Sequence, residues 1–389
     1  MNQIVRLAAR GDGIDEAGGF HPFTAPGDII TDGVPSAGPH RIDPACSHFR
    51  RCGGCQLQHI DDASYADFLV DRIAGALAAQ GLSAEISAPH LSPPHSRRRV
   101  ALRAVRRGKQ VMLGFTEGGS HNLIDLKQCP VMHPDLFALV KPLRAMLPHL
   151  VREKRIADIR MTLTDQGVDV LITGATSEGL AAAEALSDFA ARNRLARLSL
   201  DEGYGTTVRW EPDPVTIRLG GVAVAMPEGA FLQATADGEA VLVAAVRDAV
   251  AGPTLDLFAG LGTFTFASGA LHAIEGARDA IMALQMAGNR AGLLIKAEHR
   301  DLFRRPMMAA ELKPYQSVII DPPRAGAKEQ IAEIASAKVP VVASVSCNPA
   351  TFARDAKMLV DAGYRIDWIR PVGQFRWSTH AELAARFSL

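Results

Sequence analysis

The chain has 389 residues, 48% of them hydrophobic, and balances 42 basic against 42 acidic residues for a formal net charge of +0. That length supports two or three domains with a sizeable core, and the even charge excludes a uniformly basic coat, so any nucleic-acid surface must be a local patch. Five cysteines in so long a chain argue against a disulfide scaffold, no apolar run reaches the roughly 18 residues of a membrane span, and Met1-Asn2-Gln3-Ile4-Val5-Arg6 lacks the apolar stretch of a secretory signal.

Residues 1–38 are rich in Gly and Pro. Ile4-Val5-Arg6-Leu7 and Asp28-Ile29-Ile30 read as short strands, in a segment too short for a complete five-stranded barrel. Next comes Cys46-Ser47-His48-Phe49-Arg50-Arg51-Cys52-Gly53-Gly54-Cys55. Three thiols in so tight a loop suit a metal centre, and a fourth ligand would have to be Cys129 or Cys347. Four thiolates hold either an iron–sulfur cluster or a tetrahedral zinc, and the spacing alone leaves both open. His48 and His59 read as packing or surface residues.

Apolar positions Phe68, Leu69, Ile73 and Leu77 recur at helical spacing, which predicts a helix over 64–80 with Ser64 as N-cap and Gly81 as its stop. This helix has room to pack on a neighbouring domain. Ser96-Arg97-Arg98-Arg99 then leads into Val100-Ala101-Leu102-Arg103-Ala104-Val105, whose alternation is imperfect. A strand is still expected, with Val111 to Phe115 as its hairpin partner. The dense cations fit either a phosphate-contacting surface or a solvated basic face. Helices are expected over 136–147, where Pro142 is a kink or a restart, and over 180–191. Ile159 to Leu163 and Val168 to Ile172 read as a hairpin. The stretch 39–225 is therefore assigned to an α+β central domain.

From residue 226 strand and helix patterns alternate to the end, predicting a doubly wound, mostly parallel sheet. Leu255-Asp256-Leu257-Phe258-Ala259-Gly260-Leu261-Gly262 is a strand entering a glycine loop. No three-glycine pyrophosphate fingerprint follows, since Phe264 and Thr265 come after Gly262-Thr263. Leu271 to Glu275 is a strand ending in an acid that suits ribose hydroxyls. Leu293 to Glu298 leads to Asp301. Val318-Ile319-Ile320-Asp321-Pro322-Pro323-Arg324 and Val341 to Thr351, with Cys347 at a strand end, complete the pattern with Thr379-His380-Ala381-Glu382.

These segments, in this order, resemble the RNA uridine-5-methyltransferases that use S-adenosylmethionine. The Phe23 to Asp28 turn resembles that of a TRAM domain, a small RNA-binding barrel, here truncated. The resemblance implies a C-terminal Rossmann-like class I methyltransferase domain over 226–389, an α+β RNA-binding domain over 39–225 and a short β segment over 1–38. It implies donor contacts from Gln233, Phe258, Thr263, Glu275, Asp301 and Asp321, with Thr263 standing where the family frequently has Asn. It implies Cys347 as nucleophile toward carbon 6 of uracil and Glu382 as the base for the carbon-5 proton. Gln233 and His380 are candidates to touch the base, and the start of the helix after Cys347 is expected to lower the thiol pKa. A uridine in folded RNA would have to leave its stack. Phe375-Arg376-Trp377-Ser378 departs from the family's usual Phe-Pro and later Thr.

The spacing of Cys46, Cys52 and Cys55 with remote Cys129 resembles the ribosomal-RNA branch, where these ligands hold a 4Fe-4S cluster. The expectation is accordingly a cytoplasmic enzyme acting on 23S ribosomal RNA, with no membrane and no protein partner implied. Transfer RNA is the alternative substrate, second because that branch generally lacks this cysteine set. A non-catalytic RNA-binding protein on this scaffold is a rival that Cys347 and Glu382 together oppose. A DNA cytosine-5-methyltransferase would set its nucleophile in a Pro-Cys pair, whereas Cys347 follows Ser346.

Overall fold

A computed structural model describes residues 1–389. Its largest sheet has eight strands, in the order Lys296–His299, His272–Glu275, Thr254–Leu257, Ser317–Ile320, Val341–Ser346, Glu382–Ser388, Arg365–Gly373 and His90–Leu91. The first five are parallel. Glu382–Ser388 runs antiparallel to both of its neighbours. Helices cover both faces, so the central strands are continuously apolar rather than alternating. Val318 and Ile320 join the core with Phe352, Ala353 and Ile331. Ile319, Ala343 and Val345 point the other way, toward Leu242 and Val246 of the helix Ala236–Ala249.

Residues before 226 also build this layer. Ile73 and Leu77 of the helix Asp62–Ala78 lie in the same core as Leu255 and Phe352, and the His90–Leu91 strand pairs with Val372 and Gly373. That helix is capped by Asp61, whose carboxylate accepts from Ser64 N at 2.8 Å. Ser64 is thus the third helical residue and not the expected cap, because an aspartate three positions earlier satisfies its N–H.

A seven-stranded sheet forms the central layer. Its strand Arg99–Arg107 pairs with Gln110–Thr116 on one side and Ile156–Thr164 on the other. Val100, Leu102 and Ala104 are buried and Ala101 and Arg103 exposed, so the alternation that the sequence obscured is present. The buried face packs on helices Pro134–Ala138, Val140–Met146 and Gly179–Arg192 through Leu136, Leu143 and Leu186. The first two divide what was expected as one helix. Pro142 falls in the first turn of the second, where a missing N–H costs nothing. Of the stretch Leu293 to Glu298 that leads to Asp301, the strand takes in only Lys296 onward, and Leu294 is exposed.

Residues 2–36 hold five short strands in one sheet, ordered Phe20–His21, Gly13–Asp15, Asn2–Leu7, Ile29–Thr31 and Val34–Ser36. Strands of two to six residues let five fit into a segment that looked too short. No helix of the chain is long and apolar enough to cross a membrane.

Candidate active site

Sheet direction explains how distant residues meet. Phe258, Asp321 and Cys347 each follow the carboxyl end of a parallel strand, and Glu275 ends another, the edge at which open α/β sheets bind ligands. Glu382 arrives at the same edge because its strand is antiparallel and starts where the others finish. Leu383 pairs with Ser346, and Glu382 itself with Val372. Gln374, the residue after Arg365–Gly373, reaches this edge too.

A cavity of about 720 Å³ opens here, lined by Gln233, Arg324, Cys347, Phe375, His380 and Glu382 among others. The Cys loop supplies part of the wall through Gly53, Gly54 and Gln56, and the central sheet supplies Arg99 and Phe115. Glu382 is 6% exposed, and burial followed by repulsion from Asp321 pushes its carboxyl up to about 8, with Arg99 opposing. The Cys347 thiol is also raised, by burial first and then by Glu382 and Asp321, against the pull of Arg324. This reverses the expected lowering by the helix Pro349–Asp361. The Asn348 side-chain oxygen already serves the first turn, accepting from Ala350 N at 3.2 Å, while two carboxyls face the sulfur. A protonated Asp321 lightens the burden on a thiolate. Burial, then Arg324, Arg97 and Arg72, lowers His380, leaving a neutral imidazole.

Sequence reasoning missed Gln374, which is 2% exposed. Its Nε2 donates to Gln233 Oε1 at 2.8 Å and to Glu382 Oε2. A single polar residue closing the apolar run Val372-Gly373 was the only signal. Arg376, at the departure from the family's Phe-Pro, holds the loop by other means. It donates to Ser92 O at 3.2 Å and pairs with Asp62. Trp377 O accepts from Gln56 N and Leu57 N, both at 2.9 Å.

On the neighbouring strand ends Phe258 and Gly260 have φ of +61° and +56°, a tight loop that turns backbone N–H groups inward. Glu275 accepts from Gly260 N at 2.9 Å and from Ala277 N at 2.7 Å. Gly262 has φ +95°, and a Cβ there would stand 2.6 Å from the Phe266 ring, so only glycine fits. Thr263 opens the helix Thr263–Ser268. Asp301 accepts from Phe303 N and Arg304 N, and Phe303 packs on Phe258 at 5.5 Å. Asp321 is pushed up to about 7 by burial and Glu275. Asp256, which sequence reasoning did not assign, is pushed up to about 7 by burial, with Asp321 and Glu275 adding to the rise and the Thr265 hydroxyl at 2.6 Å opposing it. Neither carboxyl is relieved by a cation, so this edge of the sheet prefers a positively charged neighbour. A sulfonium donor fits that preference, and a glycine loop without a pyrophosphate cradle fits a nucleoside.

Cys46, Cys52, Cys55 and Cys129 are all partly buried. Burial first, then the charges of Cys129, Cys52 and Cys46, push the Cys55 thiol up to about 12, so the four share one neighbourhood. No group of three or more His, Cys, Asp or Glu side chains closes to metal-holding spacing. The donor set thus fits a thiolate-bound metal in residue type and proximity without a closed coordination shell. His48 Nε2 accepts from Lys127 N at 3.0 Å, and buried His59 contacts Thr24 O at 3.0 Å, which keeps both as packing residues.

The basic run is not one solvated or phosphate-facing surface. Arg98 is 8% exposed. It pairs with Glu239 at 2.6 Å and donates to Gln233 O at 3.1 Å, which ties the central sheet to the segment carrying Gln233. Arg97 lies over the Phe375 ring at 5.2 Å and Arg99 over Phe231 at 4.5 Å. Exposed Arg103, paired with Asp158 at 3.3 Å, and exposed Arg160 line a second hollow of about 400 Å³ on the uncovered face of the central sheet, and Ala101, Phe115 and Thr116 border both cavities.

A family model described as tRNA (Uracil-5-)-methyltransferase matches residues 270–385. An uncharacterized RNA methyltransferase of Zymomonas mobilis is 49% identical, with both chains covered in full. The 23S rRNA (uracil(1939)-C(5))-methyltransferase RlmD of Pectobacterium atrosepticum is 29% identical over 90% of this chain and 80% of that one. The solved Pyrococcus abyssi tRNA (uracil-54, C5)-methyltransferase, in complex with S-adenosyl-L-homocysteine, has the same fold, with a TM-score of 0.74, 23% identity and both chains covered in full.

Proposed function

Because the chain belongs to the RNA uracil-5-methyltransferase family, and therefore methylates RNA with S-adenosylmethionine, we propose that it modifies one uridine of 23S ribosomal RNA through a covalent bond from Cys347. The observation that carries the mechanism is the shared cavity, in which a thiol and a carboxyl pushed up to about 8 face the same space. The RlmD relative favours ribosomal RNA, as does the cysteine set. Transfer RNA remains the second reading.

In this mechanism the Cys347 thiolate adds to carbon 6 of a flipped-out uracil and turns the ring into an enolate. S-adenosylmethionine, when bound, supplies a methyl group on a positively charged sulfur. Glu275, Asp321 and the 258–262 loop, with Gln233, Phe258, Thr263 and Asp301, would hold that donor, which would give its methyl to carbon 5 and leave as the neutral thioether S-adenosylhomocysteine. Glu382 then takes the carbon-5 proton, the carbon 6–sulfur bond breaks, and the Cys347 thiolate is regenerated. His380, uncharged, and Arg324 flank the base. Cys46, Cys52, Cys55 and Cys129 would hold a 4Fe-4S cluster, whose chemistry here is to cross-link the loop that walls the cavity. The matching domain division is 1–38, 39–225 and 226–389, with 62–78 and 90–91 packed in the catalytic layer. A cytoplasmic location belongs to the same reading.

The test is denaturing electrophoresis of purified protein with labelled 23S RNA fragments and S-adenosylmethionine. Glu382→Gln is expected to leave a slow-migrating protein–RNA band, because the methylated adduct cannot lose its proton. Cys347→Ala is expected to leave none and to form no 5-methyluridine. Full turnover by Cys347→Ala would refute the covalent route.

A further inference from the structure

We infer that Gln374 is a positioning residue that orients two groups at once, presenting one Glu382 oxygen and the Gln233 amine to the cavity. The inference rests on the catalytic reading above. Thr235 N lies 3.3 Å from Gln374 Oε1. A backbone N–H can only donate, so this bond fixes which end of the amide is oxygen. The Gln374 amine must then face the other way, and its two hydrogens go to Gln233 Oε1 and Glu382 Oε2.

Both recipients are thereby polarised. Gln233 accepts with its oxygen, so its amine is the end left over. Glu382 spends Oε2 on Gln374, so Oε1 is left over. Neither leftover atom is sealed away without a partner, and both residues line the cavity. The seat of Gln374 is rigid. A Cβ on Gly238 would lie 2.8 Å from the Gln374 Cβ, and Thr235 caps the adjoining helix by accepting from Gly238 N at 3.1 Å.

The chemical consequence is directional. The free Glu382 oxygen is the one left to collect a proton, and the Gln233 amine offers a donor to a carbonyl oxygen such as that on carbon 4 of uracil. Cytosine carries an amine there and would meet donor with donor. Gln374 is not among the residues that line the cavity, and it acts through these two side chains.

The experiment compares wild type, Cys347→Ala, Gln374→Met and Gln374→Glu with labelled RNA and S-adenosylmethionine, following 5-methyluridine release and the denaturation-resistant adduct separately. Gln374→Met removes both ends of the amide, and Gln374→Glu keeps its shape and the acceptor for Thr235 while replacing two N–H donors by at most one O–H. Release is expected to fall about a hundredfold, as misaligned catalytic groups commonly cost. The adduct should persist and S-adenosylhomocysteine affinity, measured by calorimetry, should stay near wild type. Normal release, or adduct and product falling together with intact affinity, would overturn the inference. If Gln374→Met does not fold, Gln374→Glu decides by the same readouts. A wild type that methylates RNA without a Cys347-dependent adduct would overturn the catalytic reading itself.

Discussion

Replacing Glu382 by Gln should stabilise the protein, and the gain should grow with pH. The carboxyl is 6% exposed and moves from 4.5 in the open chain to about 8 in the fold. A folded value above the unfolded one means that folding carries no penalty below about pH 4.5 and the whole penalty above about pH 8. At about 1.4 kcal/mol per tenfold, the full penalty is about 5 kcal/mol. Between about pH 5.5 and about pH 8.5 it rises by about 3 kcal/mol, the part a neutral amide escapes. For a cooperative unit of catalytic-domain size this corresponds to roughly 6–12 °C in Tm. Asp321 and Glu382 repel, and the charge falls on Glu382 because it ionises second. Differential scanning calorimetry of both proteins at the two pH values, without RNA or donor, reads the effect. A Tm difference independent of pH would show that Glu382 is not held above its ordinary range and would remove the reason for its late ionisation.

Cys347→Ala should abolish methyl transfer while S-adenosylhomocysteine binds as before in calorimetry, since the donor loops stand on other strands. Arg98→Ala should cost about 3–5 kcal/mol in denaturant unfolding, because it strands Glu239 as an unpaired buried acid. Arg103→Ala with Arg160→Ala should reduce the log–log salt slope of RNA binding by about 0.7–0.9 for each phosphate that these arginines neutralise, with unchanged thermal stability. Protein purified without oxygen should carry iron and sulfide that Cys129→Ala loses; zinc without iron in metal analysis would replace the cluster by a tetrahedral thiolate site.

Much of the catalytic layer was legible in the sequence because its signals are local. Val318-Ile319-Ile320 and Val341-Val342-Ala343 are apolar throughout, as strands buried on both faces must be, and polar residues at strand ends mark where such a sheet places its chemistry. Cys347 stood out by such a mark and the cysteine loop by its spacing, whereas the base role of Glu382 came only from resemblance to the family. Local pattern also misled where two signals competed. Asp61 displaced Ser64 as cap, and the arginine run read as one surface although its members point to different environments.

Only the tertiary structure decided what these residues face. Whether a cysteine at a helix start is acidic depends on the charges opposite it, and Glu382 and Asp321 come from other strands. Gln374 carries no motif, since its importance lies in the directions of three hydrogen bonds to Thr235, Gln233 and Glu382. The antiparallel course of Glu382–Ser388 brings its first residue beside the end of Val341–Ser346. Strand identity is written in residues a few positions apart, whereas burial, charge proximity and hydrogen-bond direction depend on separate segments, such as those of Gln374 and Thr235, 139 residues apart, and only packing brings those together.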